Sequence, residues 1–296
     1  MGYIKEFCIK YEYEPDAIIF LEEAYQTLKS NDEAFKIFNS CVELYESNIE
    51  FEHEPVFEKI RALNKSTGIH GFTLELLYMI SLAPHLKELY IKENLPEDIY
   101  DASVCDLKWK ARECKDNYGV WGMFVGWWTI GFFKLKRFAI GRLQFNMREF
   151  THGMSANGLS FAEGEKYIDV HIPSSGHLNY EDCQESYKRA AEFFKNRYGL
   201  ENIVFGCRSW LLSPDNERIL PSTSNVLKFM RDYTILEATE DPENSNLWRI
   251  FNVMKMPEKP SMLPDDSSLR RAFIKWLEAG NTINTAFGVI VFNNER

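Results

Sequence analysis

Residues 167–210 read YIDVHIPSSGHLNYEDCQESYKRAAEFFKNRYGLENIVFGCRSW. Tyr167, Asp169 and His171 alternate with Ile168, Val170 and Ile172, which predicts a strand with one polar and one apolar face. Pro173 stops the ladder because it has no N–H to donate. Ser174, Ser175, Gly176 and His177 then make a turn. Asn179 is expected to N-cap a helix, with Asp182 three residues on as a box-like partner. Tyr180, Cys183, Tyr187, Ala190, Ala191, Phe194 and Tyr198 keep helical spacing, and Gly199 stands at C′. A second strand begins at Ile203. A loop of small residues that opens a helix offers unpaired N–H groups and the positive end of the helix dipole to an anion. Acyl carriers and nucleotides bring such anions as phosphates.

Upstream of this stretch, Leu143, Phe145 and Met147 alternate with Gln144, Asn146 and Arg148. Asn157-Gly158 is a strong hairpin signal, and Glu163-Gly164 marks another turn. Residues 134–172 are therefore expected to form a short antiparallel meander. Downstream, Asn225–Asp232 reads as a short helix. Thr234–Thr239 and Trp248–Val253 read as strands, and 257–264 as a loop. Leu269–Ala279 reads as a helix capped by Ser267 and Ser268, and Thr285–Asn293 as a final β-prone strand.

The first 115 residues read differently. Apolar residues at helical spacing predict one helix after Pro15 and others around 34–45, 56–63 and 72–90, with a kink expected at Pro84. Leu95-Pro-Glu-Asp98 starts a further helix with acids in its first turn. Val120–Phe133, which holds Trp121, Trp127 and Trp128, is the most apolar run. At about 14 residues it is shorter than the ~20 a membrane span needs, so it reads as a buried helix.

The chain has 296 residues and a formal net charge of −10. Residues 1–115 carry −9 of this and the remainder −1, which suggests two modules. That balance argues against nucleic acid as a partner, since neutralising phosphates needs a basic face. The basic group Lys134, Lys136, Arg137, Arg142 and Arg148 reads as a solvated strand face. Six scattered cysteines without C-x-x-C pairs fit a reduced, cytoplasmic setting. The N-terminus lacks the series of a signal peptide, and neither a membrane span nor a metal-ligand motif is apparent.

The fold class expected is α+β: an all-helical N-terminal domain over 1–118, then a mixed, mostly antiparallel sheet with flanking helices over 119–296. Five ordered words sharpen this: Leu95-Pro-Glu-Asp-Ile-Tyr100, Gly141-Arg-Leu-Gln-Phe145, His171-Ile-Pro-Ser-Ser-Gly176, Ser209-Trp-Leu-Leu-Ser-Pro214 and Leu220-Pro-x-x-Ser-Asn225. Together they resemble a bacterial family that joins a helical N-acyltransferase N-terminal domain to a GNAT-like C-terminal domain. The resemblance is good over roughly residues 90–240 and looser on the flanks. It implies a direct transfer from an acyl-CoA or acetyl-CoA thioester to an amine-bearing small molecule, with the 173–177 loop holding the pyrophosphate. The usual GNAT loop pattern, Gln/Arg-x-x-Gly-x-Gly/Ala, is absent, which motivates a second reading as a non-catalytic small-molecule or protein-binding module.

The candidate catalytic residues are His171 as general base, Asp169 as its orienting partner, Ser209 as a pocket residue or nucleophile, and Tyr233 as a general acid for the leaving thiolate. The candidate donor-binding residues are Ser174, Ser175, Gly176, His177, Trp210 and Asn225. No metal is expected.

Overall fold

The computed structural model describes residues 2–292. Contacts divide the chain into two compact units, residues 1–139 with 173–175, and residues 140–172 with 176–296.

The first unit is helical: α1 Tyr3–Lys10, α2 Pro15–Lys29, α3 Asp32–Ser47, α4 His53–Ala62, α5 Asn64–Thr67, α6 Gly71–Lys92, α7 Glu97–Tyr118 and α8 Gly126–Phe133. Apolar residues cover α6 on nearly all sides, so it is the buried axis of the unit. It runs through Pro84 without ending. Proline removes the N–H that would bond the carbonyl four residues back, and the Tyr3 hydroxyl of α1 donates to that Ile80 carbonyl instead at 3.2 Å.

The long helix expected over 120–133 is not formed; only Gly126–Phe133 is helical. Residues 120–125 lie instead across the start of α6. The Met123 N–H donates to the Phe72 carbonyl at 2.8 Å, and the Thr73 hydroxyl to the Trp121 carbonyl at 2.8 Å. A Cβ at Gly122 would sit 2.6 Å from the Phe72 backbone, so the close approach needs glycine. These contacts place 119–139 in the helical unit, and the division falls after Ala139, not after Tyr118.

The strands are β1 Arg137–Ile140, β2 Leu143–Glu149, β3 Met154–Ala156, β4 Leu159–Phe161, β5 Lys166–His171, β6 Ile203–Ser209, β7 Thr234–Thr239 and β8 Thr285–Phe292. The helices of the second unit are α9 Tyr180–Tyr198, α10 Asn216–Ile219, α11 Asn225–Arg231, α12 Leu247–Phe251 and α13 Ser268–Glu278. Six strands form one sheet in the order β1-β2-β5-β6-β8-β7, and β3-β4 form a separate hairpin. Its turn is Asn157-Gly158, both in the left-handed region. β5 and β6 are parallel, joined through α9, while the other registered pairs are antiparallel. This is the expected mixed, mostly antiparallel α+β arrangement.

The strand expected over 248–253 is a helix, α12. Leu247, Ile250 and Phe251 are its buried residues, a spacing of three and four that fits a helix and not a strand. Asn252 in the left-handed region ends it. The last strand stops at Phe292 among the described residues, and its expected final residue, Asn293, lies outside them.

Candidate functional site

Alternation sorts the strands of the second unit into two faces. Phe145, Ile168, Val170, Phe205 and Cys207 are buried on one. There α9 packs with Tyr187 and Phe194, whose rings lie 6.4 Å from Phe145. On the opposite face, register sets Gln144 beside His171, Asn146 beside Asp169 and Arg148 beside Tyr167. One end of that face is roofed by an aromatic cluster of Phe150, Phe161, Tyr167 and Phe287. The other end is polar, with Gln144, Asn146 and Asp169 buried.

The two expected catalytic neighbours meet here. His171 Nε2 lies 2.7 Å from Asn146 Oδ1 and 3.3 Å from Asp169 Oδ2. Asp169 Oδ2 also accepts from Arg148 Nε at 2.9 Å. A carboxylate only accepts, so Nε2 is the donor to both oxygens and carries the proton in the neutral ring. The basic lone pair of His171 is then on Nδ1. His171 is half-buried and Arg148 more than half exposed, so the polar group runs from the interior to the surface.

β5 and β6 bridge only at Ile168–Phe205 and Asp169–Gly206. Beyond these pairs the strands part. β5 stays paired with β2 out to His171, and β6 with β8 out to Ser209. The registered pairing of β5 with β6 therefore ends at Asp169–Gly206, short of the C-terminal ends of both strands.

The loop after β5 exposes Ser174, Gly176 and His177 and half-buries Ser175. Among the described residues, the N–H groups of Ser174, Ser175, Gly176, His177 and Leu178 donate to no protein acceptor. Asn179 caps α9 as expected, its side chain accepting from the Glu181 N–H at 3.2 Å. The box with Asp182 is not made; the Asn179 N–H goes to the His177 carbonyl at 3.1 Å.

The remaining candidates are elsewhere. The Ser209 hydroxyl accepts from the Leu211 N–H at 3.2 Å and caps the 3-10 turn Trp210–Leu212, so it has no histidine as a hydrogen-bond partner. Trp210 packs edge-on against Phe273 at 5.5 Å. Tyr233 is inside the α9 layer, its hydroxyl 2.7 Å from that of Tyr187 and also bonded to Cys207. Burial pushes both tyrosines and the Cys207 thiol well above their usual ranges, so all three stay neutral. Asn225 is exposed at the start of α11, where Ser224 and not Asn225 supplies the cap.

Sequence reading passed over Asn146, Arg148 and Arg142. The basic face expected from the sequence includes Arg148 and Arg142. Arg148 instead holds Asp169, Lys136 pairs with Glu50, and Arg137 stacks over Trp128 at 3.4 Å. The signal that would have found Asn146 and Arg148 is the antiparallel register of β2 with β5, which sets their side chains beside Asp169. Among the described residues, no group of His, Cys, Asp and Glu could hold a metal ion, and no helix is long and apolar enough to cross a membrane.

Comparison with known proteins gives a consistent result. No curated protein matches the chain by sequence. An acyltransferase solved with decanoyl-CoA superposes with a TM-score of 0.73 at 19% identity, covering 97% of this chain and 87% of the other. An acyltransferase solved with decanoyl-CoA and teicoplanin gives 0.65 at 20% identity, covering 98% and 99%. Another, with CoA and 10C-teicoplanin, also gives 0.65 at 20% identity, with coverage of 98% and 99%. At these identities the likeness is one of fold. The N-acyltransferase N-terminal domain family matches residues 3–135, and the GNAT-like C-terminal domain family matches residues 137–290. The chain therefore belongs to the family that joins an N-acyltransferase N-terminal domain to a GNAT-like C-terminal domain.

Proposed function

We propose that the chain transfers an acyl group from an acyl-CoA thioester to the amine of a small molecule. The observation that carries this is the end of β5–β6 pairing at Asp169–Gly206, followed along the chain by the unpartnered amides of Gly176, His177 and Leu178. An acyl-CoA has the matching parts: an extended arm with two amides, and a diphosphate. Strand backbone beyond the last β5–β6 pair suits the amides, and loop N–H groups at the start of a 19-residue helix suit the diphosphate. The fold neighbours bound to decanoyl-CoA support the same donor class.

His171 serves as the base. The amine nitrogen attacks the thioester carbonyl, a C–N bond forms and the C–S bond breaks. The amine proton passes to Nδ1, because Nε2–H is already given to Asn146 and Asp169. Asp169 stabilises the imidazolium that results, and Arg148 holds the Asp169 carboxylate in place. The thiolate of CoA leaves and takes its proton from solvent; Tyr233 is buried and is given no part in this step. No covalent enzyme intermediate is required, so Ser209 and Cys207 are given none either. The acceptor is a small-molecule amine, as suggested by the teicoplanin bound to two of the neighbours and by the acidic bias of residues 1–115. The six unbridged cysteines support the cytoplasm as its place of action.

One observation favours the second reading, a binding module without catalysis. The first turn of α9 carries Glu181 and Asp182, which already complement the helix dipole and weaken its pull on an anion. Titration calorimetry with decanoyl-CoA, followed by a thiol-release assay with amine acceptors, separates the readings. Binding with turnover is expected. Binding without thiol release in any amine leaves the module reading, and no heat at millimolar decanoyl-CoA with folded protein ends both for this donor.

A further inference from the structure

The word Gly141-Arg142 that opens β2 has no part in the chemistry above. Gly141, with φ +64°, turns β1 into β2, and a Cβ there would lie 2.5 Å from Ser186 Oγ. Glycine thus admits the α9 hydroxyl into the turn. Ser186 Oγ accepts the Arg142 N–H at 2.7 Å and donates to the Asp182 carbonyl at 2.6 Å. The turn is thereby fixed to the first half of α9.

From this anchor the Arg142 side chain reaches the loop before α9. Its Nε donates to the His177 carbonyl at 3.0 Å, and its Nη2 to the Gly176 carbonyl at 3.0 Å. Both peptides are trans, so each carbonyl points opposite to the N–H of the residue that follows. Two consecutive carbonyls held on one guanidinium therefore turn the His177 and Leu178 N–H groups the other way. Neither N–H has a protein acceptor among the described residues. Gly176, at φ +100°, supplies a bend that other residues rarely adopt. A planar fork with donors at fixed spacing suits two carbonyls at once, whereas a lysine ammonium on a flexible stem does not.

We infer that Arg142 is the positioning residue of the anion loop: it holds the Gly176 and His177 carbonyls so that the His177 and Leu178 amides stay aimed at the diphosphate of the acyl donor. The inference rests on the acyl-CoA reading and deepens it. It names the side chain that sets the direction of the diphosphate-binding amides. Arg142 does this without contacting the diphosphate itself, since its fork is engaged with backbone.

The test compares full-length wild type, Arg142→Gln and Arg142→Lys in calorimetric titrations with decanoyl-CoA and with decanoyl-pantetheine, which has the same acyl arm but no diphosphate. Arg142→Gln is expected to weaken decanoyl-CoA about tenfold or more, and to leave decanoyl-pantetheine within about twofold of wild type. Arg142→Lys keeps the charge without the fork and should stay near the glutamine variant. Equal loss for both ligands, no loss for decanoyl-CoA, or full rescue by lysine each overturns the inference. If wild type does not bind decanoyl-CoA, the donor reading itself falls, and the diphosphate assignment with it. Hydrogen exchange of the segment 174–180 then reads the clasp alone: faster exchange in Arg142→Gln is expected, and unchanged exchange overturns the clasp. Should Arg142→Gln fail to fold, the lysine variant carries the same comparisons.

Discussion

The two faces of β2, β5 and β6 are built from alternate residues of the same strands and do opposite jobs. On the α9 face, Phe145, Val170, Phe205 and Cys207 are buried together with Tyr187 and Tyr233, whose hydroxyls bond each other. That face supplies stability through burial. The other face takes Asn146, Arg148, Asp169 and His171, each one residue away from a core position, and joins them in one hydrogen-bonded group. Its ion pair is partly solvated at Arg148, so it adds little to folding free energy. The comparison teaches that the polar face is affordable because the apolar face already holds the sheet and helix together.

The comparison can be broken at its strongest point first. His171→Ala should lower kcat by about 10²–10⁴ with the melting temperature nearly unchanged, measured by thiol release and by thermal unfolding. A large loss of stability instead would mean that the polar face is structural. The reverse case is Phe145→Ala on the α9 face, which should cost about 3–5 kcal/mol of stability in denaturant unfolding because Phe145 is fully buried. A loss below about 1 kcal/mol would show that α9 does not depend on this face.

Asp169→Asn gives a finer test. It removes the charge that stabilises the imidazolium, so kcat should fall by about 10–100-fold, while stability changes by less than about 1 kcal/mol. Unchanged kcat would reduce Asp169 to a partner of Arg148. The smallest effect is alkaline. Burial raises the pKa of Cys207, Tyr187 and Tyr233 in the folded chain, so their neutral forms contribute stability that is fully present below the unfolded values and is lost as the pH rises. The melting temperature should therefore begin to fall as the pH passes about 9, where the unfolded thiol ionises. Cys207→Ala should make the first part of that fall shallower, and an identical slope would remove Cys207 from the account.

Local rules carried most of the fold. Period-two alternation placed β2 and β5, Asn157-Gly158 placed the hairpin, and Asn179 and Gly199 bounded α9, because each depends on a few neighbouring residues. Short apolar runs were not readable in this way. Residues 247–251 fold as a helix and 120–125 as irregular chain, since what they pack against decides their backbone. His171 and Asp169 were legible as neighbours because they share one strand face. Asn146 and Arg148 beside Asp169, the parting of β5 from β6, and Arg142 on the Gly176 and His177 carbonyls were decided by tertiary structure alone. Each joins residues at least 21 positions apart. Strand register and turn anchoring set such distances, and a single sequence holds no local record of either.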